Sequence, residues 1–357
     1  MIRPLKYLTP FTIFATAWIS FHTEGILTFL PVFYGFILIP LIELFIHPRP
    51  ENLSTAEEEL AKADKTYDLI LYLSVPLHYF FLFLFLSSLL SLDTATDLTS
   101  IIGRTMSMGI LCGVFGINVA HELGHRSNKR EQFMAKLLLL TSQYIHFFIE
   151  HNKGHHKNVA TPEDPSSARY NESVFSFYPR TIINGYRSAW RIANHDQQKK
   201  GRSALNIRNE MLQAQIMQAS FLLLIFLFFG WKILLCYLGA AFVGIMMLEN
   251  VNYIEHYGLS RTKSSSGQYE RAMPHHSWNS NHVIGRLMLF ELSRHSDHHY
   301  LASRKYQILR HHDKAPQMPT GYPGMMLLAH VPPVWFKVMN RKIEELQLSQ
   351  SSNTVNH

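Results

Sequence analysis

Long runs of uncharged, mostly apolar residues alternate with polar segments along this chain. The runs cover residues 26–42, 69–92, 106–120, 219–229 and 233–248. About 20 apolar residues are needed to span the hydrocarbon core of a bilayer, so the runs predict several membrane-spanning helices. Buried helices of a large soluble core are the alternative, but such cores rarely contain an uncharged run as long as residues 69–92. With 47% hydrophobic and 17% charged residues, the composition also favours a membrane protein.

The pattern predicts six spans, at residues 5–21, 25–46, 69–92, 99–120, 209–229 and 231–252. Lys and Arg occur just before or at the beginning of the first span (Arg3 and Lys6) and in the loop 47–68, whereas the short loops 22–24 and 93–97 contain none. Because positive residues favour the cytoplasmic side, we expect the N-terminus and the loop 47–68 to be cytoplasmic. Four spans then return the chain to the cytoplasm at residue 121.

Two basic residues fit this orientation less well. Arg104 lies near the outer end of the fourth span, where its side chain would have to extend to the interface. The last two spans are expected to form an out-and-back pair that turns at residues 230–232, which leaves Lys232 on the outer side.

These observations predict an all-α fold, a six-helix transmembrane bundle with a helical, histidine-rich cytoplasmic cap. Residues 1–120 supply the first four spans and their short loops. Residues 121–208 and 253–340 form two cytoplasmic histidine-rich regions, separated by the last two spans in 209–252. Residues 341–357 are expected to be a flexible tail.

Cysteine content and charge exclude several classes of protein. Cys112 and Cys236 both lie in apolar runs and form no CxxC pair, so a disulfide framework, an iron–sulfur cluster and a rubredoxin-like module are not expected. Electrons for any redox reaction must therefore come from another protein. The formal charge of +7 can attract anionic lipid or an acidic partner. No stacking motif accompanies it, so nucleic acid is not an expected partner.

Nine histidines stand in three tight groups and one separate motif, each following an apolar run. They are His121 and His125; His151, His155 and His156; His256; and His295, His298 and His299. Histidines three or four residues apart share one face of a helix. So many neutral imidazoles suit a borderline divalent metal, and more than one ion. For His125 and His151 to share a site, the apolar stretch 133–149 cannot cross the membrane, because the interval is too short for a full hairpin. This stretch is instead expected to be an interfacial or buried helix.

Three other interpretations explain the histidines less well. The motif His121-Glu-Leu-Gly-His125 matches the HExxH of zinc proteases, but a catalytic zinc needs only three protein ligands and six clustered histidines would remain unused. Surface or helix-capping roles explain one group but not three. A transporter with ion sites would carry its polar groups near the bilayer midplane, whereas here the groups follow the ends of the spans.

The ordered set of histidine motifs resembles the membrane alkane 1-monooxygenases. The matching stretches are His121-Glu-Leu-Gly-His125, residues 150–156, 160–165, Asn252-Tyr-Ile-Glu-His-Tyr-Gly258, 294–299 and 319–322. They cover nearly the whole chain in order and spacing, and the stretch 252–258 distinguishes this family from the desaturases. The resemblance implies six spanning helices, two non-haem irons bound by histidine, a rubredoxin electron donor and terminal hydroxylation of alkanes.

The nine histidines named above are the expected iron ligands, following the family motif position by position. Dioxygen is the expected co-substrate, and its chemistry requires a redox-active metal, which zinc is not. A histidine ligand usually donates its other N–H to a carboxylate or carbonyl. The candidate acceptors are Glu122, Glu150, Asp164, Glu255 and Asp297, of which Asp164 and Glu255 are preferred. Ordinary solvated carboxylates are the alternative.

The resemblance also suggests how substrate and electrons arrive. An alkane has no polar group, so it must be recognised by burial in an apolar channel entered from the bilayer. The aromatic run 79–85 could line such a channel, although lipid contact or helix packing is the preferred role for most of its side chains. Rubredoxin, recharged by its reductase, is expected at the cytoplasmic face of the bacterial inner membrane. A basic stretch could meet it, or could contact anionic lipid: Arg180, Arg187, Arg191, Lys199, Lys200 and Arg202.

Related oxidations on the same scaffold remain open from the sequence. They are fatty-acid hydroxylation, hydroxylation of aromatic methyl groups and acyl desaturation. Product analysis distinguishes them, because the metal ligands would be the same.

Overall fold

A computed structural model describes residues 3–93 and 96–355 of the chain. The predicted loop 93–97 and the predicted tail 341–357 therefore lie partly outside the described residues. Within them the structure is helical, and strand-like pairing is limited to two isolated bridges, Lys263 with Tyr269 and Asn279 with Gln317. The all-α prediction is confirmed.

The principal helices follow the apolar runs of the sequence. In chain order they are α1 (Thr12–His22), α2 (Gly25–Glu43), α3 (Thr55–Ala63), α4 (Thr66–Ser88), α5 (Leu98–Gly124), α6 (Lys129–Thr141), α7 (146–158), α8 (Val174–Gln198), α9 (Glu210–His256), α10 (Val283–Met288), α11 (His295–Tyr300), α12 (Tyr322–Ala329) and α13 (Pro332–Val355).

Four of these helices, α2, α4, α5 and α9, are long and apolar enough to cross a membrane. The most apolar windows of α2 and α9 are only 17% buried, so most of their side chains face outward. Outward-facing apolar side chains are what lipid-contacting helices require. The first predicted span, residues 5–21, consists of a 3₁₀ segment, Arg3–Phe11, followed by the 11 residues of α1. The count of six spans remains a prediction.

Helix α9 is two arms joined at Gly230, where the predicted turn lies. Gly230 has φ 79° and ψ 173°, a conformation that residues with a Cβ rarely adopt. The rings of Phe221 and Tyr237 lie 5.8 Å apart between centroids. In a straight helix these positions would be separated by about 24 Å. The chain therefore reverses direction at Gly230, and the two arms pack against each other.

Small residues let α5 approach the second arm of α9 closely. A Cβ added at Gly109 would lie 2.5 Å from the Val243 side chain, and one at Gly244 would lie 2.6 Å from the Cβ of Cys112. Such contacts between small residues are typical of helix packing in membranes. The pair α5–α9 ends in histidines, His121 near the end of α5 and His256 at the end of α9.

Arg104 corrects one expectation. Its side chain does not extend toward an interface, since the residue is only 5% exposed. Instead its guanidinium donates to the carbonyl oxygens of Ser88 and Thr23 at the ends of α4 and α1. Carbonyls at helix C-termini lack partners within the helix, so a buried guanidinium can bind them.

The stretch 133–149 does not form one helix. Helix α6 ends at Thr141, and Gln143, with φ 53°, turns the chain into α7. Helix α13 continues through Val355, so residues 341–355 of the predicted tail are helical, while the flexibility of this segment remains a prediction. The buried Ile343 fixes this helix against the protein, and Arg341 forms an ion pair with Glu345.

Candidate metal centre and adjacent cavity

A π-helical turn arranges the second group of histidines. Residues His151–His155 are π-helical, and the N–H of His156 donates to the carbonyl oxygen of His151. In an α-helix, positions five residues apart point about 140° from each other. The wider π-turn brings them to about the same side, as π-bulges often do at functional sites. His151 and His156 consequently point to one location, and His155 points to another.

The third histidine group is also divided. Within α11, His295 and His299 are four residues apart and point the same way, whereas His298 points to the other location. The expectation that the histidines of a motif share one face therefore holds for His121 and His125 but is wrong for the other two groups.

Five histidines bring their Nε2 atoms into one closed ring. The Nε2–Nε2 distance is 3.0 Å from His121 to His298, from His298 to His156, from His156 to His151 and from His151 to His125. It is 3.3 Å from His125 back to His121. We call this set the five-histidine site.

The other four histidines form a second group, the four-histidine site. Nε2 of His155 lies 3.2 Å from Nε2 of His299, and Nε2 of His256 lies 3.1 Å from Nε2 of His295. The two sites are adjacent, since the rings of His156 and His299 stack with centroids 4.5 Å apart. All nine predicted ligands are thus collected into two neighbouring groups, whose potential ligand atoms lie within 4.8 Å of one another in each group.

The geometry fits metal ligation. For a metal–imidazole bond of about 2.1 Å, nitrogens at a right angle lie about 3.0 Å apart and nitrogens at a tetrahedral angle about 3.4 Å apart. The observed distances of 3.0 to 3.3 Å fall in this range. Burial also lowers the pKa of His298 and His299 well below the usual range and that of His125 to about 3. The rings of these three histidines are therefore neutral, which is the form that binds metals.

A third group, Glu270, His275 and His276, also has its potential ligand atoms within 4.8 Å of one another, but its hydrogen bonds argue against a metal. Nδ1 of His276 accepts from the backbone N–H of Met273 at 3.0 Å. In the neutral ring the proton is then on Nε2, which faces the Glu270 carboxylate at 3.5 Å. A protonated nitrogen has no lone pair for a metal, so this group is a hydrogen-bonded cluster.

Asp164 and Glu255 contact histidines in different ways. Nδ1 of His155 donates to Oδ2 of Asp164 at 2.9 Å, which leaves the Nε2 lone pair directed into the four-histidine site. Burial alone would raise the pKa of Asp164, but His155 and its hydrogen bond outweigh burial and lower that pKa. Glu255 instead approaches His295 on the Nε2 side, at 3.2 Å, and accepts from the Tyr322 hydroxyl at 2.8 Å.

The remaining candidate carboxylates make no hydrogen bond to the nine histidines in the described structure. Glu122 accepts from Arg126 at 2.6 Å and from the backbone N–H of Tyr306. Asp297 accepts from Arg304 and His312, each at 2.7 Å. Both therefore attach the segment after α11 to the histidine motifs. For Glu150, burial and the nearby Asp164 carboxylate raise the pKa above its usual range.

The predicted docking residues are not equivalent. Arg180 is held by Glu172 at 2.6 Å and donates to the carbonyl oxygens of Pro165 and Ser167, so it is committed within the fold. Arg202 is half-buried. Exposed side chains remain at Arg187, Arg191, Lys199 and Lys200.

A small, narrow apolar cavity lies beside the histidines. His121, His151 and His295 line it, together with Glu255. Its other walls are mainly aliphatic and sulfur-containing: Gly113, Ile117, Asn118, Phe147, Met247, Leu248, Val251, Asn252, Leu289, Leu292 and Met326. An elongated apolar molecule is the ligand that such a lining suits.

The aromatic run 79–85 does not contribute to this cavity. Phe81 and Phe85 pack against Phe14 and Phe21 in the core, while Phe80 and Phe83 are exposed. Gly113, Ile117, Met247 and Leu248 escaped sequence analysis because they lie in apolar runs whose buried and lipid-facing sides cannot be separated by composition. Asn118 is a polar residue within these runs, and its amide donates to the carbonyl oxygen of Leu289 at 3.0 Å.

Comparisons with known proteins agree with this architecture. Residues 99–328 match the fatty acid desaturase family. Alkane 1-monooxygenase 2 of Pseudomonas aeruginosa is 40% identical over 322 residues, 88% of this chain and 85% of that protein. Alkane 1-monooxygenase of Acinetobacter baylyi is 39% identical over 309 residues, covering 87% of this chain and 75% of that protein. The xylene/toluene monooxygenase hydroxylase component of Pseudomonas putida is 28% identical over 237 residues, 66% of this chain and 63% of that protein.

Proposed function

The chain belongs to the alkane 1-monooxygenase family, and from this membership we propose that it hydroxylates the terminal methyl group of medium- or long-chain alkanes in the membrane. The observation that carries the proposal is the convergence of nine histidines into two adjacent sites, three members of which line an apolar cavity. One atom of O2 enters the primary alcohol, and the other leaves as water with two electrons and two protons.

The nine histidines would hold two non-haem irons, one in the five-histidine site and one in the four-histidine site. Bound iron would supply the redox chemistry that activates O2 and breaks the C–H bond. The protein's own contribution is to hold neutral Nε2 atoms in place and to exclude water. Asp164 orients His155 through Nδ1, and seven of the nine histidines are at most 8% exposed.

Substrate binding follows from the cavity lining. An alkane gains about 0.8 kcal/mol for each methylene group that it buries, without any polar contact. The cavity presents Ile117, Met247 and Leu248 for this purpose and ends at His121, His151 and His295. A chain end directed toward these histidines would expose its methyl group to the metals, which favours the terminal product.

We further propose that rubredoxin delivers the electrons and is itself reduced by its reductase. The chain's two cysteines lie in helices α5 and α9, so the chain offers no cluster of its own. The proposal orients the protein in the bacterial inner membrane with the N-terminus and the segments 121–208 and 253–340 facing the cytoplasm. Arg187 and Arg191, four residues apart on α8 and both exposed, are the favoured docking residues for an acidic donor.

The test is product analysis with purified protein in lipid. Protein, rubredoxin, its reductase and NADH are supplied with octane or hexadecane under ¹⁸O2, and products are separated by gas chromatography with mass detection. We expect 1-alkanol that contains one ¹⁸O atom and depends on all protein components. Internal alcohols or alkenes would reject the terminal assignment, and turnover of xylene but not of alkanes would favour hydroxylation of aromatic methyl groups.

A further inference from the structure

The apolar cavity extends between α5 and the second arm of α9, where Gly113, Ile117, Met247 and Leu248 face it. On the side away from the histidines the two helices are in close contact, because Gly109 permits contact with Val243 and Gly244 permits contact with Cys112. The close packing of these small residues leaves no room for the cavity to continue along the helix pair.

Gly113 and Met247 stand opposite each other at this end. A Cβ added at Gly113 would lie 2.9 Å from Sδ and 3.0 Å from Cε of Met247. The thioether is the flexible end of its side chain, so it would have to move, and the nearest open space is the cavity itself. The absence of a side chain at position 113 thus allows Met247 to keep its present position.

We infer that Gly113 and Met247 form the floor of the substrate cavity and set the longest alkane that can bring its methyl group to the histidines. The inference rests on the proposed function and adds a residue-level basis for chain-length selection. Gly113 precedes His121 by eight positions, and the segment Cys112–Val119 between them is π-helical, so their separation along the helix is below the roughly 12 Å of a regular α-helix. This short distance favours medium-chain alkanes as substrates.

The test compares three variants with the wild type. Gly113→Ala pushes Met247 into the cavity, Met247→Ala removes the floor, and the double variant does both. Gly185→Ala is the matched control, because the added Cβ has no neighbour within 4 Å and the residue lies on α8, away from the cavity lining. Equimolar mixtures of C6 to C16 alkanes are supplied, and the ratio of the resulting 1-alkanols is measured. A folding defect lowers all products together and leaves this ratio unchanged.

Each methylene group that gains or loses burial changes the selectivity by about fourfold. We expect Gly113→Ala to lower the decane-to-octane product ratio by about fourfold or more. Met247→Ala should raise the dodecane-to-octane ratio by about tenfold, and the double variant should return toward the wild-type profile. Gly185→Ala should keep that profile. Equal ratios of the 1-alkanol products in wild type, Gly113→Ala and Met247→Ala would overturn the inference.

A binding measurement separates the inference from the proposed function. The same alkanes are added to the purified proteins without reductant, and the rise in unfolding temperature is recorded against chain length. The length of maximal stabilisation should shift downward in Gly113→Ala and upward in Met247→Ala. If the preferred chain length shifts in this way but no protein oxidises an alkane, the proposed function is contradicted and the floor formed by Gly113 and Met247 is supported. If the wild type hydroxylates alkanes but the preferred chain length of the variants shifts in neither assay, only the role of the floor is contradicted.

Discussion

Replacing Asp164 by Asn should remove the metal from one site and leave the other loaded. The carboxylate is fully enclosed and accepts from Nδ1 of His155 at 2.9 Å and from the Ser167 hydroxyl at 2.6 Å. An Asn side chain has the same shape as Asp, but its amide N–H can donate to Nδ1 of His155. That hydrogen bond would favour a His155 ring protonated at Nε2. That ring cannot serve as a ligand in the four-histidine site.

The size of the effect follows from the lost hydrogen bond. A bond to a charged group contributes ~1.5–3 kcal/mol, equivalent to a roughly 10- to 100-fold weaker metal affinity. The five-histidine site does not include His155, so it should keep its ion. After a graded chelator challenge, the Asp164→Asn variant should hold about one iron per chain under conditions in which the wild type holds about two.

The assay is elemental analysis of protein recovered at each chelator concentration. The neighbouring substitution Glu163→Gln is the control, because the Glu163 side chain is 54% exposed and contacts no histidine in the described structure. Equal retention of iron by the Asp164→Asn variant and the wild type would refute the assignment of Asp164 as the residue that orients His155. Loss of both ions together would refute the independence of the two sites.

Three further substitutions test other parts of the account. Gly230→Ala should destabilise the protein by ~1–3 kcal/mol in thermal unfolding, because φ at this position is +79°. Gly35→Ala is the control, because its added Cβ also has open space but its φ is not positive, and it should not destabilise the protein. Equal stability of the two variants would contradict the reversal at Gly230. Joint replacement of Arg187 and Arg191 by Glu should slow reduction of the protein by rubredoxin about tenfold at low salt, while iron content stays unchanged. An unchanged rate would show that rubredoxin docks at another surface. Asp297→Asn should lower the free energy of unfolding by about 3 kcal/mol, because it leaves the Arg304 guanidinium unpaired, and iron content should stay near that of the wild type. Iron loss without destabilisation would assign Asp297 to the metal site.

Much of the architecture could be predicted because apolar runs report burial in lipid or protein directly. The helical class, the reversal at Gly230 and the nine clustered histidines follow from run length, glycine and spacing. Spacing also suggested that each histidine group shares a face, and this was wrong where the backbone leaves the α-helix. The π-turn that separates His155 from His151 and His156 depends on tertiary packing, and sequence periodicity assumes a regular helix.

Carboxylate roles were harder to predict for a different reason. Glu122 and Asp164 both lie near histidine motifs, but only the folded chain determines whether a histidine or an arginine is closer. Here Arg126, one turn after Glu122, takes that carboxylate. The cavity wall was equally hidden, since Gly113 and Met247 are recognisable only when two helices that are distant in sequence are brought together.

Metal analysis shows whether the two histidine sites hold two irons. Protein purified from iron-replete cells is subjected to elemental analysis, and an ⁵⁷Fe-enriched sample is examined by Mössbauer spectroscopy. Two irons per chain in two distinct nitrogen-rich environments are expected, because five histidines converge in one site and four in the other. A single iron per chain, or zinc in both sites, would contradict the account.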